Sequence, residues 1–181
     1  MRTTTTRTPL MLALTCAAAV SCARVEADVP EVAVTQKSVD FRGIPHGLGS
    51  GEMSMTQTFV LSSDKLSWAK DLNTEVYANE VEIKALGDIE DLRFIHFARI
   101  TMSDGAEDSA TPAVEIVNYE RPDNAVASPV IIAKTTYPVD VTKVWAAKKV
   151  VITMQLAGKF PEHGWSADVT LHMSGKISYK L

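Results

Sequence analysis

The sequence predicts an all-β fold, an antiparallel β-sandwich of Ig-like or jelly-roll type with about eight strands and at most one short helix. Three observations predict it. The segment Ser166–Tyr179 alternates strictly, with Ala167, Val169, Leu171, Met173, Ile177 and Tyr179 on one face and Asp168, Thr170, His172, Ser174, Lys176 and Ser178 on the other. Comparable runs recur at short spacing along the chain, separated by turns rich in Gly, Pro and Asn. Only Val139–Lys148 competes as a helix, of two or three turns, because Val141, Val144 and Trp145 stand at i, i+3 and i+4.

Taken in order, Val32–Phe41 alternates in part and reads as the first strand. Gly43–Gly51, GIPHGLGSG, is a glycine-rich loop without the Gly-Lys-Ser/Thr ending of a phosphate-binding loop, so chain flexibility is its expected use. Met53–Leu61 sets Met53, Met55, Phe59 and Leu61 on one face, with Gln57 the exception. Ser62–Asn73 is polar and reads as a loop with one helical turn. Val76–Leu86 resumes alternation, Val81, Ile83 and Ala85 opposing Glu80, Glu82 and Lys84. After the break GDIEDL, Phe94–Met102 places Phe94, His96, Ala98, Ile100 and Met102 on one face, with Ile95 and Phe97 on the other, as a central strand requires. Ser103–Pro112 is an acidic turn. Ala113–Tyr119 and Val130–Thr136 are β-branched runs joined by ERPDNAVASP, and Lys149–Leu156 carries Val150, Ile152, Met154 and Leu156 on one face. Gly175 marks a bulge in the final strand.

The N-terminus has a different logic. Arg2 and Arg7 precede an apolar run from Pro9 to about Val20, which Arg24 and Glu26 close. That is too short for a helix crossing about 30 Å of hydrocarbon, and it has the make-up of an export signal. Ala19, Val20, Ser21 and Cys22 resemble the lipobox of bacterial lipoproteins, in which a branched aliphatic residue, a small residue or Val, and Gly, Ala or Ser precede a lipidated cysteine; Val20 and Ser21 fit, and Ala19 departs from the usual Leu. The resemblance implies a signal peptide over 1–21, acylation of Cys22, a tether over 22–31 and a sandwich domain over 32–181. It also implies an outer-membrane address, since Ala23 stands where an Asp would favour the inner membrane. The other reading is a secreted domain cleaved after Ala17–Ala19 or Val25–Ala27. Cys16, behind Thr15, has too little apolar sequence ahead of it to be the acylated residue.

Without residues 1–21, 16 Lys and Arg face 22 Asp and Glu, a balance of about −6 that does not suit nucleic acid. Loss of Cys16 and acylation of Cys22 leave no thiol, which removes disulfides, thiol catalysis and Cys-ligated zinc. Stability then comes from apolar burial, which the 46% hydrophobic composition supports.

No catalytic, cofactor or metal residues are assigned from sequence. His46, His96, His163 and His172 lack zinc spacing and no H-E-x-x-H motif occurs. His96 is expected inside and His172 in solvent. Asp104, Glu107 and Asp108 offer oxygens to calcium, but three residues fall short of the six to eight ligands it takes. Asp88, Glu90 and Asp91 form a carboxylate cluster without evident geometry for glycoside hydrolysis, and no G-x-S-x-G elbow is present. Trp68, Trp145 and Trp165 are expected to plug the ends of the sandwich rather than form a binding row. The expectation is a non-enzymatic binding or structural module, lipid-anchored at the bacterial envelope, whose partners are the membrane and envelope proteins or glycans. The alternative is a carbohydrate-binding module or hydrolase.

Overall fold

A computed structural model describes residues 24–44, 52–61, 74–106, 109–147 and 149–180. Among the described residues are eight strands, β1 (Arg24–Phe41), β2 (Met53–Leu61), β3 (Thr74–Ala85), β4 (Ile95–Ser103), β5 (Val114–Glu120), β6 (Val130–Asp140), β7 (Val150–Gly158) and β8 (Trp165–Lys180), with a helical turn, α1 (Thr142–Trp145), between β6 and β7. They form two four-stranded sheets in the orders β1-β8-β3-β6 and β2-β7-β4-β5, and every pairing is antiparallel. Apart from the β4–β5 hairpin, successive strands alternate between the sheets, and the order is the interlocked double Greek key of a jelly roll. The Ig-like option is thereby set aside.

The inner faces make the core. Val81, Ile83, Leu171 and Met173 from one sheet meet Ile100, Met102, Met154 and Leu156 from the other, each at most 3% exposed. Burying one such aliphatic side chain contributes about 1.5–3 kcal/mol, so the period-two pattern is what holds the sheets together.

Bulges keep that pattern in phase. β8 runs unbroken against β3 at Gly175, so the irregularity expected there lies instead in its neighbours. In β1 extra residues fall between Val29 and Val32 and between Gln36 and Val39, and in β3 one falls at Asn79. The second β1 bulge lets Val34 and Val39, an odd number of residues apart, both face inward. Ser38 takes a positive φ of 52° there, and its N–H donates to Asp168 Oδ1 at 3.0 Å.

Two boundaries differ from expectation. Residues Arg24–Glu31, expected in a tether, belong to β1, with Arg24 through Val29 opposite Lys180 through Gly175. Charges at Arg24, Glu26 and Asp28 hide a period-two pattern in Val25, Ala27 and Val29, and the partner that pairs the backbone lies at the other end of the chain. The helix is also shorter than its spacing implied. Val139 and Asp140 continue β6 by pairing with Ala78 and Tyr77, which Pro138 permits because β6 is an edge strand. The chain turns only at Thr142, whose N–H donates to Asp140 Oδ1 at 2.9 Å.

The hydroxyl and N–H of Thr142 hold the Asp140 carboxyl below the usual carboxylate range. A depressed folded value stabilises above the unfolded value near 4 and is lost as pH falls through the folded one. Asp140→Asn should therefore cost about 0.5 kcal/mol at pH 7, the low end for a single hydrogen bond because this carboxylate is exposed and screened. The variant should also flatten the stability profile below about pH 4. Urea unfolding at pH 7 and pH 3 checks this, and an unchanged acid limb would refute the assignment.

Candidate functional site

Strand direction gives the sandwich two unlike ends. β1, β3, β5 and β7 finish, and β4, β6 and β8 begin, at the same end. The loops β3–β4, β5–β6 and β7–β8 meet there around an open cleft of about 500 Å³.

One aromatic side chain, Phe94, lines the cleft, and that ring packs on aromatics behind it. Trp165, the first residue of β8, stacks on Phe41 with centroids 4.1 Å apart and planes 11° apart. Phe94 sets its edge against Trp165 at 5.2 Å and meets Phe160 at 6.0 Å, and Phe94 forms part of the cleft wall. Pro122 and Ala125 supply the rest of the apolar lining.

Backbone bonds tie the loops to this wall. Lys159 N–H donates to Phe94 O at 2.9 Å and Arg121 N–H to His96 O at 2.8 Å, so both cationic residues flank the start of β4. Leu92, 1% exposed, pins the β3–β4 loop into the core, and its N–H donates to Ser128 O at 2.8 Å.

His96 reaches the cleft through a bulge. Ile95 and Phe97 oppose the consecutive residues Gly158 and Ala157, so His96 is the extra residue of β4. The expectation of an interior His96 is corrected by that bulge: Ile95, Ala98, Ile100 and Met102 are buried, whereas the His96 side chain keeps 29% of its surface and lines the cleft. Its Nδ1 lies 3.0 Å from Glu52 Oε1, and a carboxylate can only accept, so Nδ1–H is the donor of this bond.

The charged residues divide into paired and unpaired groups. Arg93 donates Nε and Nη2 to Asp91 Oδ2, both at 2.8 Å, and its N–H donates to Asp91 Oδ1 at 2.9 Å. That N–H, followed by the guanidinium, holds the Asp91 carboxyl below its ordinary range. Arg121 Nη1 donates to Arg93 O. Arg121 and Lys159 have no carboxylate partner among the described residues, and Asp123 has no cation. The set suits non-covalent recognition by an arginine fork, an ammonium and one carboxylate beside an aromatic wall.

Other sequence candidates fall elsewhere. Of Asp88, Glu90 and Asp91 only Asp91 lines the cleft. Trp145 is 1% exposed in α1 at the opposite end and Trp165 is 5% exposed, so both are core plugs, as expected. Asp104 braces its own turn, accepting from Ala106 N–H at 3.1 Å and from the Ser109 hydroxyl, and the latter bond chiefly holds its carboxyl low. Glu107, Asp108, Trp68, His46, Cys16 and Cys22 lie outside the described residues. Among the described residues no three His, Cys, Asp or Glu side chains are grouped to hold a metal ion. His163 is exposed in the β7–β8 loop.

His172 is less solvated than its place on the polar face implied. Nδ1 lies 2.8 Å from Glu31 Oε1, and buried Nε2 faces Glu80 Oε1 at 3.9 Å, while Lys134 Nζ meets Glu80 Oε2 at 3.3 Å. This row crosses all four strands of its sheet. Sequence reasoning missed Arg121, Asp123, Lys159 and Glu52; the only signal was their position in turns that a sandwich gathers at one end.

No family model matches the chain, and no curated protein matches it. Among solved structures, a chain of Desmodium yellow mottle tymovirus is 8% identical over 99% of this chain and 97% of its own, with a TM-score of 0.33. The BFDV capsid protein in decameric form is 12% identical over 82% of this chain and 99% of its own, with a TM-score of 0.37. Its 60-mer form is 9% identical over 88% and 96%, with a TM-score of 0.40. The fold assignment rests on the strand order described above.

Proposed function

We propose that the protein is a lipid-anchored binding module of a bacterial envelope, held by acylated Cys22 and contacting its ligand through the loop-end cleft. The observation that supports it is the start of β1. Cleavage after Ala27 would remove Arg24–Ala27, which pair with Lys180–Ile177, whereas cleavage before Cys22, like cleavage after Ala19, leaves β1 whole. The anchor then attaches close to folded structure, because two residues of chain reach at most about 7 Å.

Direction follows from the same strand. β1 runs from Arg24, opposite the end of β8, to Phe41 beside Trp165 under the cleft. Its 18 residues, two of them bulged, lie alongside the 16 of β8 and span roughly 50 Å. An anchor at Cys22 therefore holds the cleft end away from the bilayer, where a ligand outside the membrane can reach it. Several acyl chains, each CH₂ contributing about 0.8 kcal/mol on burial, anchor such a domain stably.

Mass spectrometry of the mature protein from its own host should find an acylated N-terminus at Cys22, and Cys22→Ala should move the protein out of the membrane fraction. An unmodified N-terminus at Asp28, or unchanged membrane association of the variant, refutes the anchor.

A further inference from the structure

We infer that the cleft binds the anionic group of a small ring-bearing ligand between Arg121 and Lys159. The inference rests on the cleft being the binding site and is independent of the anchor.

The charge pattern carries it. Three cationic side chains and two carboxylates line the cleft. Arg93 and Asp91 neutralise each other through two side-chain bonds of 2.8 Å to one oxygen. What remains in the lining is Arg121 and Lys159 against Asp123, while the Glu52 carboxylate is held by His96 Nδ1 at 3.0 Å. Arg121 spends Nη1 on Arg93 O, which aims the guanidinium and leaves its remaining N–H groups as donors.

Placement makes the pair act on one group. Lys159 is bonded to β4 at Phe94 from the β7 side, and Arg121 is bonded to β4 at His96 from the β5 side. Two strand spacings separate their backbones by about 10 Å, a gap that two long side chains close from opposite sides. Phe94 lies between them and is braced by Trp165 and Phe160, so an apolar surface adjoins the cationic pair. A charged-assisted contact of this kind is stronger than a neutral one and is weakened by salt.

Three probes separate the contributions: glucuronate carries ring and charge, glucose the ring alone, and inorganic phosphate the charge alone. Amide chemical shifts of the full chain in detergent are followed at Phe94, His96, Arg121, Asp123 and Lys159. Glucuronate should bind at least tenfold more tightly than glucose, and phosphate should shift the same amides with lower affinity than glucuronate. Binding should weaken as sodium chloride is raised. The pair Arg121→Gln with Lys159→Gln should lose glucuronate binding at least tenfold while amides elsewhere keep their positions. Asp123→Asn should tighten it several-fold, a gain that a folding defect cannot produce. If glucose binds as tightly as glucuronate, or Asp123→Asn weakens binding and the double variant does not, the anionic inference falls and the cleft remains a binding site. If no probe moves these amides, both readings fail.

Discussion

Trp165→Ala should destabilise the domain by about 3–5 kcal/mol, the cost of removing a large buried aromatic from a core that cannot close the gap. The ring is 5% exposed and wedged between Phe41, stacked at 4.1 Å, and Phe94, edge-on at 5.2 Å. Deleting it strips one face from Phe41 and the support from Phe94 together. At roughly 2–4 °C per kcal/mol for a domain of this size, the melting temperature should fall by about 10 °C. Trp165→Phe should cost much less, because it keeps most of the apolar area and Nε1 has no hydrogen-bond partner to lose among the described residues. The cleft should register the change as well, since Phe94 forms its wall. Urea unfolding of both variants measures the effect, and a loss under about 1 kcal/mol for Trp165→Ala would mean that the stack does not support this end.

How much of this was legible in the sequence depends on whether the determining interactions are local. Side-chain alternation is local, so Ser166–Tyr179 and Met53–Leu61 could be read as strands, and they correspond closely to β8 and β2. The burial of Trp145 and Trp165 followed from size and apolarity. Bulges are not local in that sense: His96 reads as interior by strict period two, and only the mismatch of β4 with β7 at Gly158 turns it outward. Residues 24–31 read as tether because their charges are visible and their partner strand, roughly 150 residues away, is not. The cleft was illegible for the same reason. Arg121, Asp123 and Lys159 come from two turns, and only the jelly-roll order brings those turns beside the start of β4. Cys22 is the reverse case, a position whose reading comes wholly from local sequence.

Gly158→Ala should cost about 2–3 kcal/mol and disturb the cleft, although alanine is intrinsically the better residue in a strand. A Cβ at Gly158 would lie 1.9 Å from Phe94 O, 2.9 Å from Phe94 C and 3.1 Å from His96 N. All three are backbone atoms, so no rotamer change relieves the overlap and a strand must move. Neither neighbour can yield cheaply: Gly158 sits between Met53 of β2 and Ile95 of β4, and Phe94 O accepts the Lys159 N–H. The close approach coincides with the bulge that carries His96 into the cleft, so displacement of β4 here reaches His96, Phe94 and Lys159 together. Gly87→Ala is the matched control. That residue has a φ of +69° with nothing within 4 Å of its added Cβ, so it should lose only the left-handed backbone cost of about 1–2 kcal/mol and leave the cleft amides in place. Equilibrium unfolding and amide spectra of the two variants distinguish steric from conformational cost. If Gly158→Ala leaves the amides of Phe94, His96 and Lys159 unmoved, the bulge is not seated on Gly158, and the geometry assigned to His96 falls with it.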